Sequence, residues 1–450
     1  MKRISIIGGG ASGTLLTANL LRLAGNAPVE INLVERRSRI GRGVAFGTSF
    51  DSHLLNVPAG RMGAYPDEVD HFHKWLSAGG HGYEANDFVP RRLFGEYLRR
   101  VFTDAAESAD PNVRLNLIDD EAVDLSVGDA DAQVMLNSGE ILPSHRVVLA
   151  FGNFSPPSPS VEDLSFASSP KYFADPWGSA LYDAIRPDDS VFIIGTGLSM
   201  VDVALHLNNA RHRGKISAIS TRGLLPAVHK LGFTYENFYD ELKDMRRITD
   251  ILKAVRRHIS KAESNGSDWR AVIDSLRPVT QEMWLDLPQR EKEYFKQHLS
   301  RYWNVARHRM PQQAASVLDA IQADGRLEIL RGRLRKIRDD GEFGVEFDSG
   351  GTAHTRNADI LVNCIGSEAN FTRIDSKFVK NLVARGHVRN DAVNLGIDAL
   401  PDGNVVGKTG SSSNIVWTLG TALKGVLWES TAIPEIRAQA RALALKLLAD

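Results

Sequence analysis

Apolar residues along this chain change their period in an ordered way. Ile4, Ile6 and Ile7 form a short apolar run, and Leu15, Leu16, Ala18, Leu20 and Leu21 then recur as one face of a helix. Between them lie Gly8, Gly10 and Gly13. The pattern returns at "VFIIGTGLSMVDVALHL" (191–207), with Gly195 and Gly197 in the turn and Met200 at the third position. Each copy is followed by another apolar run, "VEINLVERR" ending near Glu35 and "KISAIS" ending at Ser220. Each also has a later strand that runs into glycine, at "HRVVLAFGNFSPP" (145–157, Gly152) and "ADILVNCIGSEANF" (358–371, Gly366). Strand, glycine turn, helix and strand therefore occur twice, which predicts a long-range duplication.

A third kind of pattern interrupts the second copy. Phe238, Leu242, Met245, Ile248, Leu252, Val255 and Ile259 recur at helical spacing, and Phe295, Leu299, Tyr302 and Trp303 form a second helical run. The predicted fold is α/β, with two Rossmann-like dinucleotide-binding domains and a helical insertion in the second. The expected boundaries are 1–165 with 367–450 for a discontinuous first domain, and 188–366 for the second, with the insertion at about 230–312. Covering the cofactor cleft is one role for that insertion, and simple packing is the other.

The glycine spacing carries specific chemistry. Gly8 permits a tight turn, Gly10 lets backbone approach a pyrophosphate, and Gly13 lets helix and strand pack closely. The N–H groups near Ala11 and Ser12 then face the anion at a helix N-terminus, and Glu35 stands where a ribose hydroxyl is held. In the second copy, Gly195, Gly197 and Ser199 form the turn. Ser220, Thr221 and Arg222 occupy the strand end where an acid would meet a 2′-hydroxyl. Two hydroxyls and an arginine suit a 2′-phosphate, so NADPH is favoured and NADH remains possible. Met200 is expected to loosen this turn. Gly214 is the expected left-handed stop of its helix, with Arg211, His212 and Arg213 at the negative end.

Composition narrows the class. The net charge of −1 over 450 residues offers no basis for nucleic acid or an anionic membrane as partner. The single cysteine, Cys364, excludes an internal disulfide or dithiol centre and reads as a small buried hydrophobe. The opening apolar run breaks off in glycine, too short for a signal peptide, and no stretch has the length of a membrane span, so a cytoplasmic location is expected. His71 and His73 are two apart with no third ligand in pattern, and no metal is expected. The arginines of "PRRLFGEYLRRVF" read as the wet face of a helix that turns Phe94, Tyr97, Leu98 and Val101 inward. Arg307, His308 and Arg309 read first as a solvated helix end, with an anion clamp for substrate or cofactor phosphate as the alternative.

The order of these motifs resembles the two-dinucleotide-binding flavoproteins, in which the first site holds FAD and the second NAD(P)H. More closely, "GRGVAFGTSFDSHLLNVPAGRMG" (41–63), "FVPRRLFGEYLRR" (88–100), "GTGLSMVD" (195–202), "RGLLPAVH" (222–229), "LRPVTQEMW" (276–284) and "LGTALKGVLWESTAIPEIRAQA" (419–440) are similar to bacterial FAD/NAD(P)-binding proteins of the urate hydroxylase and aspartate N-monooxygenase-like group. The resemblance implies that Asn56 and Val57 lie along a flavin and that the segment at Gly420 closes over its ribityl chain. It also implies that a final helix beginning near Trp428 and Glu429 aims its N-terminus at the flavin's pyrimidine end. Thr421 departs from the aspartate that often follows this glycine.

Three activities follow as alternatives. The favoured one is an NADPH-reduced FAD monooxygenase that activates O2 through a C4a-(hydro)peroxyflavin and hydroxylates a small polar substrate. The second passes electrons from FAD to a quinone or protein acceptor. The third is a nucleotide-binding redox sensor without turnover. The sequence does not specify an oligomeric state.

Overall fold

In the computed structural model, which describes residues 1–35 and 40–449, two parallel sheets sit in one molecule. The first has six strands in the order Asn404–Val406, Ser412–Thr418, Arg146–Leu149, Lys2–Ile7, Val29–Val34, Val113–Ile118. All its pairings are parallel except the outermost, between Asn404–Val406 and Ser412–Thr418. Ile4, Ile6, Val147, Val148 and Leu149 are fully buried, as expected of strands covered on both faces. The opening helix, Ala11–Leu23, packs between this sheet and the last helix, Ile433–Ala449.

The second sheet is parallel throughout, in the order Leu327–Arg331, Ile216–Ser220, Val191–Ile194, Ile360–Asn363, Tyr172–Phe173. A three-stranded antiparallel meander precedes the returning strand in each half. Ala122–Val127, Ala132–Leu136 and Ile141–Ser144 lead into Arg146–Leu149, and Arg333–Asp339, Phe343–Ser349 and Thr352–Ala358 lead into Ile360–Asn363. The returning strands then pair in matching positions, Ile4 with Arg146 and Val191 with Ile360. The duplication thus extends beyond the glycine turns to the whole strand plan.

Between Ile216–Ser220 and Leu327–Arg331 the chain leaves as a helical layer with an apolar core of its own, built around Leu242, Val272, Trp284 and Phe295. The first expected helical run is broken into Tyr239–Leu242 and Ile248–Ser264. The second contains a π-helical turn at Phe295–Leu299 before Ser300–Arg307. Trp428, far along the chain, packs into this same core, with ring centroids 4.9 Å from both Trp284 and Phe295.

Two local expectations are corrected. The helix Leu198–Asn209 ends before Arg211, and it is Arg211 (φ 58°) that takes the left-handed conformation, not Gly214. Gly214 serves close approach: a Cβ there would lie 2.0 Å from the Asp189 carbonyl oxygen. His212 is buried against that same oxygen at 2.8 Å, and Arg213 pairs with Asp188. Met200 is fully buried in the core of the second unit.

Candidate functional site: two glycine turns and the seam between them

The first turn is assembled from five parts of the chain. Gly8 has φ 111°, and a Cβ on it would lie 2.6 Å from the Ala150 oxygen. A Cβ on Gly13 would lie 1.9 Å from the Gly8 oxygen, so the helix rests directly on the turn. Gly10, by contrast, has only Gly43 Cα in ordinary contact at 3.6 Å. The Gly41 N–H docks on this turn, 2.9 Å from Thr14 Oγ1 and 3.0 Å from the Gly9 oxygen. Gly420 (φ 75°) closes the other side, where a Cβ would meet Ser12 Oγ at 2.5 Å. Gly8, Gly10, Ala11, Ser12, Gly13 and Gly420 are thus together. Glu35 joins them, accepting the Gly9 N–H at 2.9 Å.

This turn fits a diphosphate. The helix Ala11–Leu23 has no side-chain cap and no acid in its first turn, so its leading N–H groups are open to an anion. The Gly420 N–H is held by Gln439 Oε1 at 2.8 Å, while Gln439 Nε2 is buried without a hydrogen-bond partner. Gly152 is exposed, with open space around its Cα, on the loop whose Phe151 oxygen accepts from Thr421 at 3.0 Å.

The second turn opens on a cavity of about 350 Å³. Gly197, Ser220, Thr221 and Arg222 line it; Gly195 and Ser199 do not. Gly195 (φ 114°) instead packs on the Cys364 backbone, where a Cβ would come within 2.2 Å of the oxygen. The helix Leu198–Asn209 likewise has no side-chain cap and no acid in its first turn. Arg301, His308 and Lys424 also line the cavity, with Arg222 exposed. Among the described residues there is no carboxylate on the lining, and none of Arg222, Arg301 and Lys424 forms an ion pair. The cavity is a cationic receptacle beside open N–H groups, which is what phosphate oxygens require. Local spacing could not have pointed to Arg301 or Lys424, because they arrive from the insertion and from the far end of the chain.

The triplet at 307–309 is corrected. It is not a solvated helix end. Arg309 is 2% exposed and holds Asp274 at 2.8 and 3.0 Å, so it clamps protein, not ligand. Arg307 lies 3.5 Å from buried Glu429, and burial lowers its pKa. Only His308 reaches the cavity. Burial, reinforced by Arg307 and Lys424, pushes its pKa down to about 3, so it is neutral. Lys424 is lowered too, chiefly by burial.

The residues expected at the flavin ring are placed differently from a single cluster. The final helix starts at Ile433, not near 428. Trp428 (φ 62°) ends the short helix Lys424–Leu427 and faces the apolar layer. Glu429 accepts from Trp303 Nε1 at 3.1 Å and faces Arg307. Asn56 spans the seam, its carbonyl 3.0 Å from His229 Nε2, and Val57 packs against the core under the first sheet.

That seam contains a group the sequence reading misjudged. Arg91 is not part of a wet face. It reaches from the helix Arg91–Glu107 to Asp202 on the second turn's helix, with contacts of 2.7 and 3.2 Å. Burial pushes the Asp202 carboxyl up, against the pull of Arg91. Beside the pair, burial first and Arg91 second push His53 down to about 3, and burial pushes His229 down to about 4.

Both histidines are therefore neutral when folded, and protonate near 6.5 when unfolded. Their contribution to stability is full above pH 6.5 and is lost progressively as pH falls from there, the loss being complete at about 4 for His229 and about 3 for His53. His229→Gln, which keeps a donor for the Asn56 oxygen, is expected to flatten this loss. In urea titrations the stability difference between wild type and variant should change by up to about 3 kcal/mol between pH 7 and pH 4. A difference that does not vary with pH would remove His229 from the account.

Comparisons with known proteins agree with this layout. Residues 5–154 match a family model described as FAD-NAD(P)-binding. The Escherichia coli (strain K12) protein YdhS is 24% identical over 313 residues, an alignment that spans 62% of this chain and 55% of YdhS. Among solved structures, the ornithine N-hydroxylase KtzI of Kutzneria sp. 744, with reduced FAD, NADP+ and L-ornithine, superposes with a TM-score of 0.67 at 13% identity, over 99% of this chain and 98% of that one. The cadaverine monooxygenase DfoA of Erwinia amylovora, bound to FAD, gives 0.67 at 15% identity, over 99% and 94%. The ornithine hydroxylase PvdA of Pseudomonas aeruginosa gives 0.63 at 14%, over 100% and 98%. The chain has the fold of the two-dinucleotide-binding flavoproteins.

Proposed function

We propose that this chain is an FAD- and NADPH-dependent monooxygenase that hydroxylates a small polar molecule with O2, acting at an amine nitrogen. The observation that carries the reading is the pair of uncapped glycine-turn helices in one molecule, one beside Glu35 and the other beside a cavity whose three cations form no ion pair among the described residues. The match to an FAD-NAD(P)-binding family supports FAD in the first site, and neighbours named as ornithine and cadaverine hydroxylases support the reaction type. In this assignment, residues 1–165 and 367–450 bind FAD, and 188–366 bind NADPH.

Bound FAD would supply both the hydride acceptor and the oxygen chemistry. The N–H groups near Ala11 and Ser12 hold its pyrophosphate, and Glu35 keeps its second oxygen for the ribose. Gly152 and Gly420 leave room for close approach. Gly197 and the cations Arg301 and Lys424 take the NADPH diphosphate, while Thr221 and Arg222 take the 2′-phosphate. Neutral His308 lines the same cavity without adding charge. The helical layer keeps bulk water from the reaction cleft. The reading places the enzyme in the cytoplasm; among the described residues no helix is long and apolar enough to cross a membrane.

The deciding experiment reduces the FAD-loaded protein anaerobically with NADPH and mixes it with oxygenated buffer. A spectroscopically distinct transient, with oxygen from labelled O2 entering an amine product, is the expected result. Featureless reoxidation and no labelled product across an amine panel would transfer the reading to a dehydrogenase. Arg222→Ala is expected to weaken NADPH binding about tenfold and leave NADH unchanged. An equal loss for both would remove the 2′-phosphate role.

A further inference from the structure

The helical layer encloses a second chamber, of about 460 Å³, which the hydride-transfer reading does not use. That volume lies within the range of small-molecule sites. Ile251, Val255, Met283, Trp284 and Trp303 are among its walls, and three polar groups on the lining are committed to protein. Thr280 Oγ1 donates to the Leu276 oxygen at 2.8 Å, Trp284 Nε1 to the Gly425 oxygen at 2.9 Å, and Trp303 Nε1 to Glu429 at 3.1 Å. The rest of the lining is mostly hydrocarbon and aromatic surface, with Arg256 and Tyr302 as the polar exceptions.

Two irregularities converge on it. The π-helical turn Phe295–Leu299 contributes both of its end residues to the wall. Such turns are rare and concentrate at functional sites. Trp428, also on the wall, holds φ 62° and ψ −65°, a strained conformation for a bulky residue. A sequence selected only for packing would relax both and fill the space.

One charge borders the chamber. Arg256 lies on the helix Ile248–Ser264, is exposed, and forms no ion pair among the described residues. Tyr302, 48% exposed, also lines the chamber, and the two mark its mouth. Among the described residues no carboxylate lines the space, so a cationic amine finds no counter-charge from them there. We propose that this chamber is a binding site for a small organic acid with an apolar aliphatic or aromatic body, its body among the tryptophans and its single anionic end at Arg256. The site stands apart from the cofactor cavity, yet the two share a wall. Lys424 lines one and Trp428 the other, with the ammonium 5.8 Å from the indole.

The test is calorimetric titration of the full-length, FAD-loaded protein with sodium decanoate and, separately, with decylammonium chloride. Decanoate is expected to bind at one site with a negative heat-capacity change, and decylammonium about fivefold more weakly. Arg256→Glu, an exposed change, should reverse that order, and Ala306→Phe, which fills the chamber, should abolish binding of both. No binding of either ligand to the wild type overturns the proposal, as does unaltered binding in Ala306→Phe. An order unchanged by Arg256→Glu overturns it even if the filled variant does not fold. The heats are read without NADPH or oxygen, so failure here leaves the monooxygenase reading standing, and failure of that reading leaves the chamber standing.

Discussion

Gly13→Ala is expected to unfold the first turn, with a loss of at least about 3 kcal/mol of stability and no retained flavin. The added Cβ would stand 1.9 Å from the Gly8 oxygen, and both partners are backbone, so no side-chain rotation relieves the overlap. The helix Ala11–Leu23 would have to lift off the strand, disturbing Leu15, Leu16 and Leu20, all fully buried. Gly10→Ala is the informative companion. Its Cβ meets only Gly43 Cα at 3.6 Å, and its φ of −67° suits alanine, so the protein should fold with a change under about 1 kcal/mol. That methyl nevertheless occupies the face a pyrophosphate would approach. Thermal unfolding together with the flavin-to-protein absorbance ratio separates the two. Equal destabilisation by both substitutions would show that steric packing is not what distinguishes these glycines.

Asp202→Asn is the second large effect. It leaves the Arg91 guanidinium in a half-buried seam without its counter-charge, and breaking such a pair costs about 3–5 kcal/mol. Arg91→Met with Asp202→Leu, which removes both charges, should recover most of that loss. It should not recover the rate of flavin reduction by NADPH. The ion pair joins the helix Arg91–Glu107 to the helix of the second glycine turn, and on the proposed reading would set the distance over which hydride passes. Urea denaturation measures the first effect and anaerobic stopped-flow reduction the second. A loss below about 1 kcal/mol for Asp202→Asn would mean that water screens the pair and that the seam is held elsewhere.

The sequence was most legible where backbone geometry constrains residue type. Gly8 and Gly13 are required by contacts within a few residues of themselves and by one neighbouring strand, so their spacing discloses the turn. The doubled strand plan was readable for the same reason, since buried parallel strands are unbroken apolar runs. Long-range pairings left no local trace. Nothing in "PRRLFGEY" distinguishes Arg91, which crosses the seam, from Arg92, which pairs with Asp51 on its own side. Arg309 looked like surface charge because Asp274, its partner, lies on a separate helix, Trp269–Ser275. Trp428 was misplaced because resemblance supplied the start of a helix that in this chain begins five residues later. Lys424 and Arg301 converge on one cavity only after the insertion has folded across it.

The first sheet has a consequence for how the protein is made. Its central strand, Lys2–Ile7, is synthesised long before Ser412–Thr418 and the helix Ile433–Ala449, which complete the same unit. The second sheet is complete once Ile360–Asn363 has emerged. On a ribosome, the interior unit is therefore expected to acquire protease resistance before the outer one closes, a sequence that arrested nascent chains of graded length would reveal. The first glycine turn would then be closed only after Gly420 and the helix Ile433–Ala449 had emerged, and termination before them would leave a finished second sheet beside an open first turn.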